Sequence, residues 1–133
     1  MKKNTKKLTM NFPVGDFLTR VKNAAMAGNK KVRMPYTKQV VAIAATLKKS
    51  GFLDEVKNEN GTIEVSMTFK DKRPLLMDIK LISKPGRRIY MEVSEIGNKR
   101  GPSSYLISTP KGVLMSKDAI KQNMGGEIIA EIW

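Results

Sequence analysis

The chain has 133 residues, with 25 Lys+Arg against 12 Asp+Glu and a formal net charge of +13, so a polyanion is its expected partner. Nucleic acid is the first candidate for that polyanion, and an anionic membrane surface is the second. Because Cys and His are absent, disulfides, Cys/His zinc sites and His-based acid–base catalysis are excluded.

A helix is the first predicted element, and it follows a basic start. Residues 1–11 form either a solvated tail or a basic arm that lies on phosphates, and no apolar signal core follows them. From Pro13 to Gly28 apolar residues recur at helical spacing, with Pro13 suited to the first position and Gly28 to the end. No apolar run approaches the roughly 20 residues of a membrane span, and we expect no membrane partner.

A short strand at Lys30–Met34 and a second helix are predicted next. Thr37 is placed to cap this helix, and Gly51 is suited to end it. The residues expected to face inward follow the helical period: Val40, Ile43, Ala44 and Leu47.

After residue 51 the hydrophobic period becomes that of strands. Asn60-Gly61 predicts a hairpin turn between strands at 53–57 and 62–69. The remaining predicted elements are strands at 75–83, 89–93, 105–107, 113–115 and 127–133, a loop at 95–104, and a short helix capped by Ser116 that ends near Asn123.

Helices that precede most of the strands indicate the α+β class. We predict a basic extension (1–11), an N-terminal α/β subdomain of two helices plus a small sheet (12–80), and a mostly β C-terminal subdomain with a short helix (81–133). No nucleotide-binding loop, nucleophile elbow or carboxylate cluster is present, so we expect no enzymatic activity, no cofactor and no metal.

Two Gly-containing stretches near the C-terminus are suited to a polyanion. Ser108-Thr109-Pro110-Lys111-Gly112 joins two strand candidates, and Gly125-Gly126-Glu127 follows. Hydroxyls, a Lys and amides exposed beside Gly allow the backbone to approach a phosphate or base closely. The alternative is two ordinary turns in which Gly supplies positive φ.

Four segments together resemble one known family. They are residues 16–24, residues 34–38, residues 83–90, and the pair 108–113 with 125–128. In this order and spacing they are similar to the bacterial-type family of the eighth small-subunit ribosomal protein, over about residues 12–133. The resemblance implies two subdomains and binding to the central domain of small-subunit ribosomal RNA early in assembly, beside neighbouring ribosomal proteins. Some bacterial members also resemble translational repressors, which adds the chain's own messenger RNA as a candidate partner.

The resemblance also implies RNA-contacting residues. In the C-terminal loop they are Ser108, Thr109, Lys111, Gly112, Gly125, Gly126 and Glu127; in the basic turn they are Lys84, Pro85, Arg87, Arg88 and Tyr90; in the N-terminal subdomain they are Thr19, Arg20, Asn23 and Lys38. Glu127 would accept from a base amino group or else be a surface Glu at a strand start. Tyr90 would stack or pack, and Arg20 would grip RNA or pair with a nearby acid.

This chain departs from the family pattern at four positions. Pro110 stands where the family often has a hydroxyl, and Ile120 where it usually has Arg. Asn123 replaces a usual Gly, and we expect it to keep the left-handed turn. Phe12 replaces an Asp that would cap the first helix.

Three other functions are compatible with the sequence. A generic nucleic-acid binder has the same charge but predicts no preference among RNAs. A membrane-surface module would place the basic start and the first helix on anionic lipid. An RNA-processing enzyme is disfavoured by the missing His and the scattered carboxylates.

Overall fold

A computed structural model describes residues 12–133, so the predicted extension at 1–11 lies outside the described residues. The elements in chain order are α1 (Pro13–Ala27), β1 (Lys31–Pro35), α2 (Lys38–Lys49), β2 (Leu53–Glu59), β3 (Thr62–Met67), β4 (Phe69–Lys70), β5 (Arg73–Pro74), β6 (Ile79–Leu81), β7 (Tyr90–Met91), α3 (Val93–Gly97), β8 (Ser104–Thr109), β9 (Gly112–Met115), α4 (Ser116–Lys121) and β10 (Gly126–Ile132). The α+β prediction is confirmed.

Both long helices begin and end at the predicted signals. Pro13 occupies the first turn of α1, and Gly28 ends it with φ +75°. In α2 the Thr37 side chain accepts a hydrogen bond from the Val40 amide at 3.1 Å. Phe12 precedes α1 without a side-chain capping bond, as the loss of the family Asp predicts.

The first sheet has the order β1-β3-β2 and is antiparallel throughout. Its hairpin turns at Asn60 (φ +51°) and Gly61 (φ +76°), the pair of positive φ values that a tight two-residue turn requires. Ile63, Val65 and Met67 alternate with less buried residues, so one face of β3 packs against the core. The predicted hairpin is therefore confirmed.

The second sheet has the order β6-β10-β8-β9, with β7 also paired to β10. Every pairing in it is antiparallel. The β10–β8 register shifts between Ile128 and Ala130, which marks a bulge near the middle of β10. β10 is therefore the central strand that fixes where β6, β7 and β8 lie.

Several predicted boundaries in the C-terminal half were wrong. Of the strand at 75–83 only Ile79–Leu81 forms, and of the strand at 89–93 only Tyr90–Met91 forms. The predicted loop at 95–104 contains most of α3 and the first residue of β8. The α3 helix begins where the Glu92 amide donates to the Glu95 carboxylate at 2.9 Å, a local signal that outweighs the Gly/Pro/Ser composition.

Ser116 does not cap α4 as predicted. Its Oγ instead accepts a hydrogen bond from the Tyr105 amide at 2.7 Å, which ties the start of the helix to β8. Met115 holds the capping position without a side-chain bond. Asn123 has φ +56°, so the left-handed turn expected there is confirmed.

The hydrophobic core forms two clusters. The larger contains apolar side chains of α1, α2 and the first sheet, and also Leu106, Ala130 and Ile132 of the second sheet. The smaller lies among Ile96, Ile107, Ala119 and Ile128. The larger cluster contains residues from both sides of the predicted boundary between residues 80 and 81. The division into two subdomains therefore remains a prediction. No helix within residues 12–133 is both long and apolar enough to cross a bilayer.

Candidate nucleic-acid interface

The basic turn is a tight loop closed by two backbone bonds. The Lys84 amide donates to the Arg87 carbonyl at 3.1 Å, and the Arg87 amide donates to the Lys84 carbonyl at 2.9 Å. Pro85 and Gly86 occupy the corner, where Gly86 has φ +83°. Lys84, Arg87 and Arg88 are all exposed. The turn thus presents three cations on a short, well-defined backbone.

Ser83 fixes the base of the basic turn. It is buried, and its Oγ accepts a hydrogen bond from the Ile89 amide at 2.9 Å. Ser83 was not among the predicted site residues, because a Ser that bonds the backbone has no distinguishing sequence pattern. Through this contact it positions Arg88, one residue away, without reaching solvent.

The β8–β9 turn is closed by the Thr109 hydroxyl. Its Oγ1 donates to the Gly112 carbonyl at 2.7 Å and accepts from the Lys111 amide at 3.1 Å. Gly112 has φ +107°, a conformation that a side chain rarely adopts. Thr109 is buried, so its hydroxyl shapes the loop, while Ser108 and Lys111 are exposed.

Gly125 and Gly126 are required by close packing. A Cβ at Gly125 would overlap the Met91 carbonyl oxygen, and a Cβ at Gly126 would overlap the Ser108 carbonyl oxygen. Neither glycine has positive φ, so the reason for Gly is space rather than backbone conformation. The pair lets β10 start tightly between β7 and β8.

Three predicted site residues form a row across the second sheet. Glu127 of β10 lies opposite Ser108 of β8 on one side and opposite Tyr90 of β7 on the other. Residues directly opposite on antiparallel strands project from the same face, so the three side chains share one surface. Tyr90 is 67% exposed, which leaves its ring available for stacking rather than core packing.

Arg88 reaches this row from the basic turn. Its Nη1 lies 3.2 Å from the Glu127 Oε2, with side-chain exposures of 48% for Arg88 and 21% for Glu127. The guanidinium therefore neutralises a half-buried carboxylate that would otherwise oppose a polyanion. The contact joins the basic turn to the strand that carries Glu127.

A first cleft, of about 320 Å³, brings the start of α2 to the second sheet. Lys38 lines it together with Arg88, Ser108 and Glu127. Apolar side chains of α1, α2 and the sheet complete its wall: Pro13, Val14, Ala42, Ile43, Val113 and Ile129. Residues 50 to 90 positions apart thus share one concave surface that has both charged and apolar parts.

A second cleft, of about 490 Å³, lies between α1 and β6. It brings together Thr19, Asn23 and Lys84, and Trp133 also lines it. Lys22 is in the same wall, where its Nζ pairs with the Asp78 carboxylate at 3.2 Å. Lys84 therefore lies where the predicted N-terminal contacts meet the basic turn.

The Arg20 side chain binds to two other groups of the protein. Its Nε lies 3.1 Å from the Asp16 carboxylate, and its Nη1 donates to the Arg33 carbonyl at 3.0 Å. Of the two interpretations for Arg20, the structure has the pairing with a nearby acid. Pairing with Asp78 likewise occupies Lys22.

No metal site competes with this interface among the described residues. Across positions 12–133, no group of three or more His, Cys, Asp or Glu side chains is arranged to hold a metal ion. The polar groups of the two clefts are instead cations, hydroxyls, amides and two carboxylates, Glu127 and Asp78. Phosphates and base edges bind to such donors and acceptors.

Comparison with known protein families identifies the family to which the chain belongs. The family model described as "Ribosomal protein S8" matches residues 13–133, which is nearly the whole chain. The chain belongs to the ribosomal protein S8 family. The resemblance inferred from four sequence segments is thereby confirmed.

Individual relatives of the S8 family agree along almost their full length. "Small ribosomal subunit protein uS8" of Nitratidesulfovibrio vulgaris (strain DP4) is 36% identical over 91% of this chain and 97% of the relative. The proteins of the same name from Roseiflexus castenholzii (36%) and Geobacter metallireducens (39%) each match over 95% of this chain and 100% of their own. S8 proteins are structural components of the ribosome and not enzymes.

Proposed function

We propose that this chain, a structural constituent of the small ribosomal subunit, is a primary binder of the central domain of small-subunit ribosomal RNA and aids its assembly. The observation that carries the proposal is the first cleft, where Lys38 from α2 lies with Arg88 of the basic turn and with Ser108 and Glu127 of the second sheet. A surface that needs α2, the basic turn and the second sheet to form is suited to a folded RNA rather than to any polyanion.

Exposed cations supply affinity. Lys84, Arg87, Arg88 and Lys111 lie on two tight turns, and Lys38 lies at the start of α2. Each cation that contacts a phosphate releases counterions, so binding weakens as salt rises. The second cleft adds Thr19 and Asn23 as hydrogen-bonding groups for the sugar–phosphate backbone.

Specificity comes from the row on the second sheet. A-form RNA has a deep, narrow major groove that side chains read poorly, so a protein reads splayed or irregular bases instead. Glu127 accepts from a base amino group, the Ser108 hydroxyl donates or accepts beside it, and Tyr90 stacks. Thr109, Gly125 and Gly126 hold these groups in place rather than contacting the bases themselves.

The partners that follow from the family are ribosomal RNA and neighbouring ribosomal proteins in the small subunit, and the location is the ribosome in the cytoplasm. The chain's own messenger RNA is a second RNA partner in this proposal. A messenger segment that folds into a similar irregular helix would fit the same row and the same clefts.

Binding of a central-domain fragment, compared with a scrambled RNA of equal length, tests the proposal in wild-type protein and in Glu127→Ala. Wild type is expected to prefer the fragment, and Glu127→Ala to lower mainly that preference. An equal loss of affinity for both RNAs on Glu127→Ala would sink the specificity assigned to Glu127. Equal binding of both RNAs by wild type would leave a generic polyanion binder.

A further inference from the structure

The Arg88–Glu127 ion pair occupies both groups that the proposed function assigns to RNA. Arg88 Nη1 and Glu127 Oε2 lie 3.2 Å apart, and Glu127 is the one carboxylate among the described residues that line the first cleft. In the free protein, therefore, Arg88 and Glu127 are bound to each other.

A phosphate competes with Glu127 for the same guanidinium. Arg presents a planar fork that matches carboxylate and phosphate oxygens alike, so a phosphate can replace the carboxylate on Arg88. The replaced Glu127, only 21% exposed, is then left beside a second negative charge in a partly desolvated cleft. When an RNA offers only a phosphate here, the complex gains the contact of that phosphate with Arg88 and loses the contact of Glu127 with Arg88.

A base with an amino group removes that loss. Its N–H donates to Glu127 and takes the place that Arg88 has left. Ser108, opposite Glu127 on β8, supplies a neighbouring hydroxyl that holds the same base edge. Only an RNA that brings a phosphate and a base amino group together satisfies both former partners.

Both ends of the pair are fixed at the backbone. Glu127 lies on β10, which at this residue is paired to β7 on one side and to β8 on the other. Arg88 lies between the closed Lys84–Arg87 turn and the Ile89 amide, which is bonded to the Ser83 hydroxyl. Exchange of partners therefore needs only rotation of two side chains.

We propose that this ion pair is an exchange latch that discriminates against non-cognate RNA. The inference rests on the proposed function and adds the means by which the site rejects other polyanions. In this mechanism Glu127 does two things: it reads a base in the cognate complex, and it withholds Arg88 from any RNA that lacks that base.

Glu127→Gln is the direct test, because it keeps the size of the side chain and one accepting oxygen and removes the charge. We expect this variant to bind scrambled RNA about three- to tenfold more tightly than wild type, the range of one partly exposed charged hydrogen bond. The preference for the central-domain fragment falls correspondingly.

Glu64→Gln is the matched control. Glu64 forms a similar pair with Arg33 at 2.8 Å, its side chain is 20% exposed, and it lines neither of the two clefts. It raises the net charge by the same one unit. If Glu64→Gln tightens scrambled-RNA binding as much as Glu127→Gln does, the effect is one of overall charge and the latch is overturned.

The Arg88→Ala background separates the latch from other effects at Glu127. Without Arg88 there is no cation to release, so adding Glu127→Gln is expected to leave the affinity for scrambled RNA within about twofold, an energy change well under that of one hydrogen bond. Unchanged scrambled-RNA binding on Glu127→Gln alone, in a protein that still prefers the fragment, contradicts the latch and leaves the proposed function standing. Equal binding of the central-domain fragment and the scrambled RNA by the wild-type protein contradicts the proposed function itself.

Discussion

Ser108 and Glu127 lie directly opposite each other on β8 and β10, and both project from the same face of the second sheet. Thr109, one residue further along β8, points by the alternation of a strand to the other side, where Ile107 is buried. Two adjacent hydroxyls in the sequence therefore have different tasks: Ser108 lies beside Glu127, and Thr109 closes the turn from behind.

Gly126→Ala is expected to destabilise the protein. The added Cβ overlaps the Ser108 carbonyl oxygen. Because this is a backbone atom, no side-chain rotation relieves the clash. We expect the free energy of unfolding to fall by about 1–3 kcal/mol or more, the range for overpacking, as measured by chemical denaturation. Gly97→Ala in α3 is the control, since its Cβ meets no atom within 4 Å; an equal loss there would contradict the packing argument.

Thr109→Val is expected to loosen the β8–β9 turn. Valine has the shape of threonine but loses both bonds of Oγ1, to the Gly112 carbonyl and from the Lys111 amide. Each such bond contributes on the order of 1 kcal/mol, and hydrogen exchange at Lys111 should quicken. Thr109→Ser keeps the hydroxyl and should behave like wild type; slow exchange retained in Thr109→Val would mean that the hydroxyl does not close the turn.

The sequence was most informative where the structure depends on local patterns. Helix α2 could be predicted because Thr37, Gly51 and four apolar residues give its cap, its end and its buried face. The first hairpin could be predicted because Asn-Gly alone favours two positive φ values. Such signals lie within a few residues of one another and need no knowledge of the rest of the chain.

The rest depends on contacts between distant residues. Ser116 is a residue type that often caps helices, but its hydroxyl instead accepts a hydrogen bond from the distant Tyr105 amide. The first cleft joins Lys38 to Arg88 and Glu127, and no local pattern reports that approach. The α3 helix was missed although Glu92 and Glu95 have the spacing of a capping box, because the surrounding Gly, Pro and Ser residues favoured a loop.

Acid should weaken the attachment of β10 to residues 99–105. The Ser103 hydroxyl donates to Glu131 and, with the Lys99 ammonium at 3.1 Å, holds the pKa of Glu131 below its ordinary 4.5 against the opposing effect of burial. Because the folded pKa lies below the unfolded one, this stability is present above pH 4.5 and is lost as pH falls through the folded value.

Unfolding free energy measured from pH 7 down to pH 3 tests this linkage. Ser103→Ala removes the largest cause of the lowered pKa of Glu131, so the folded pKa moves up towards the unfolded one. The acid loss should then be smaller than in wild type and complete at a higher pH. Glu131→Gln should remove this part of the pH dependence altogether. The same acid limb in wild type and Glu131→Gln would contradict the assignment.

Removal of a cation from the basic turn should change how binding depends on salt. For Lys84→Ala or Arg88→Ala, the slope of log affinity against log salt should become shallower by about one unit, since one fewer counterion is released. Lys49→Ala, at the far end of α2, is the control and should keep the wild-type slope. An equal change in all three variants would mean that overall charge, and not this surface, binds the RNA.

The first measurement to make is binding of wild-type protein to a fragment of the central domain of small-subunit ribosomal RNA, against a scrambled RNA of equal length, over a salt series. We expect the two affinities to separate as salt rises, because counterion release weakens both complexes while the contacts of Ser108 and Glu127 with bases persist only in the cognate one. Affinities that stay equal and collapse together with salt would contradict it.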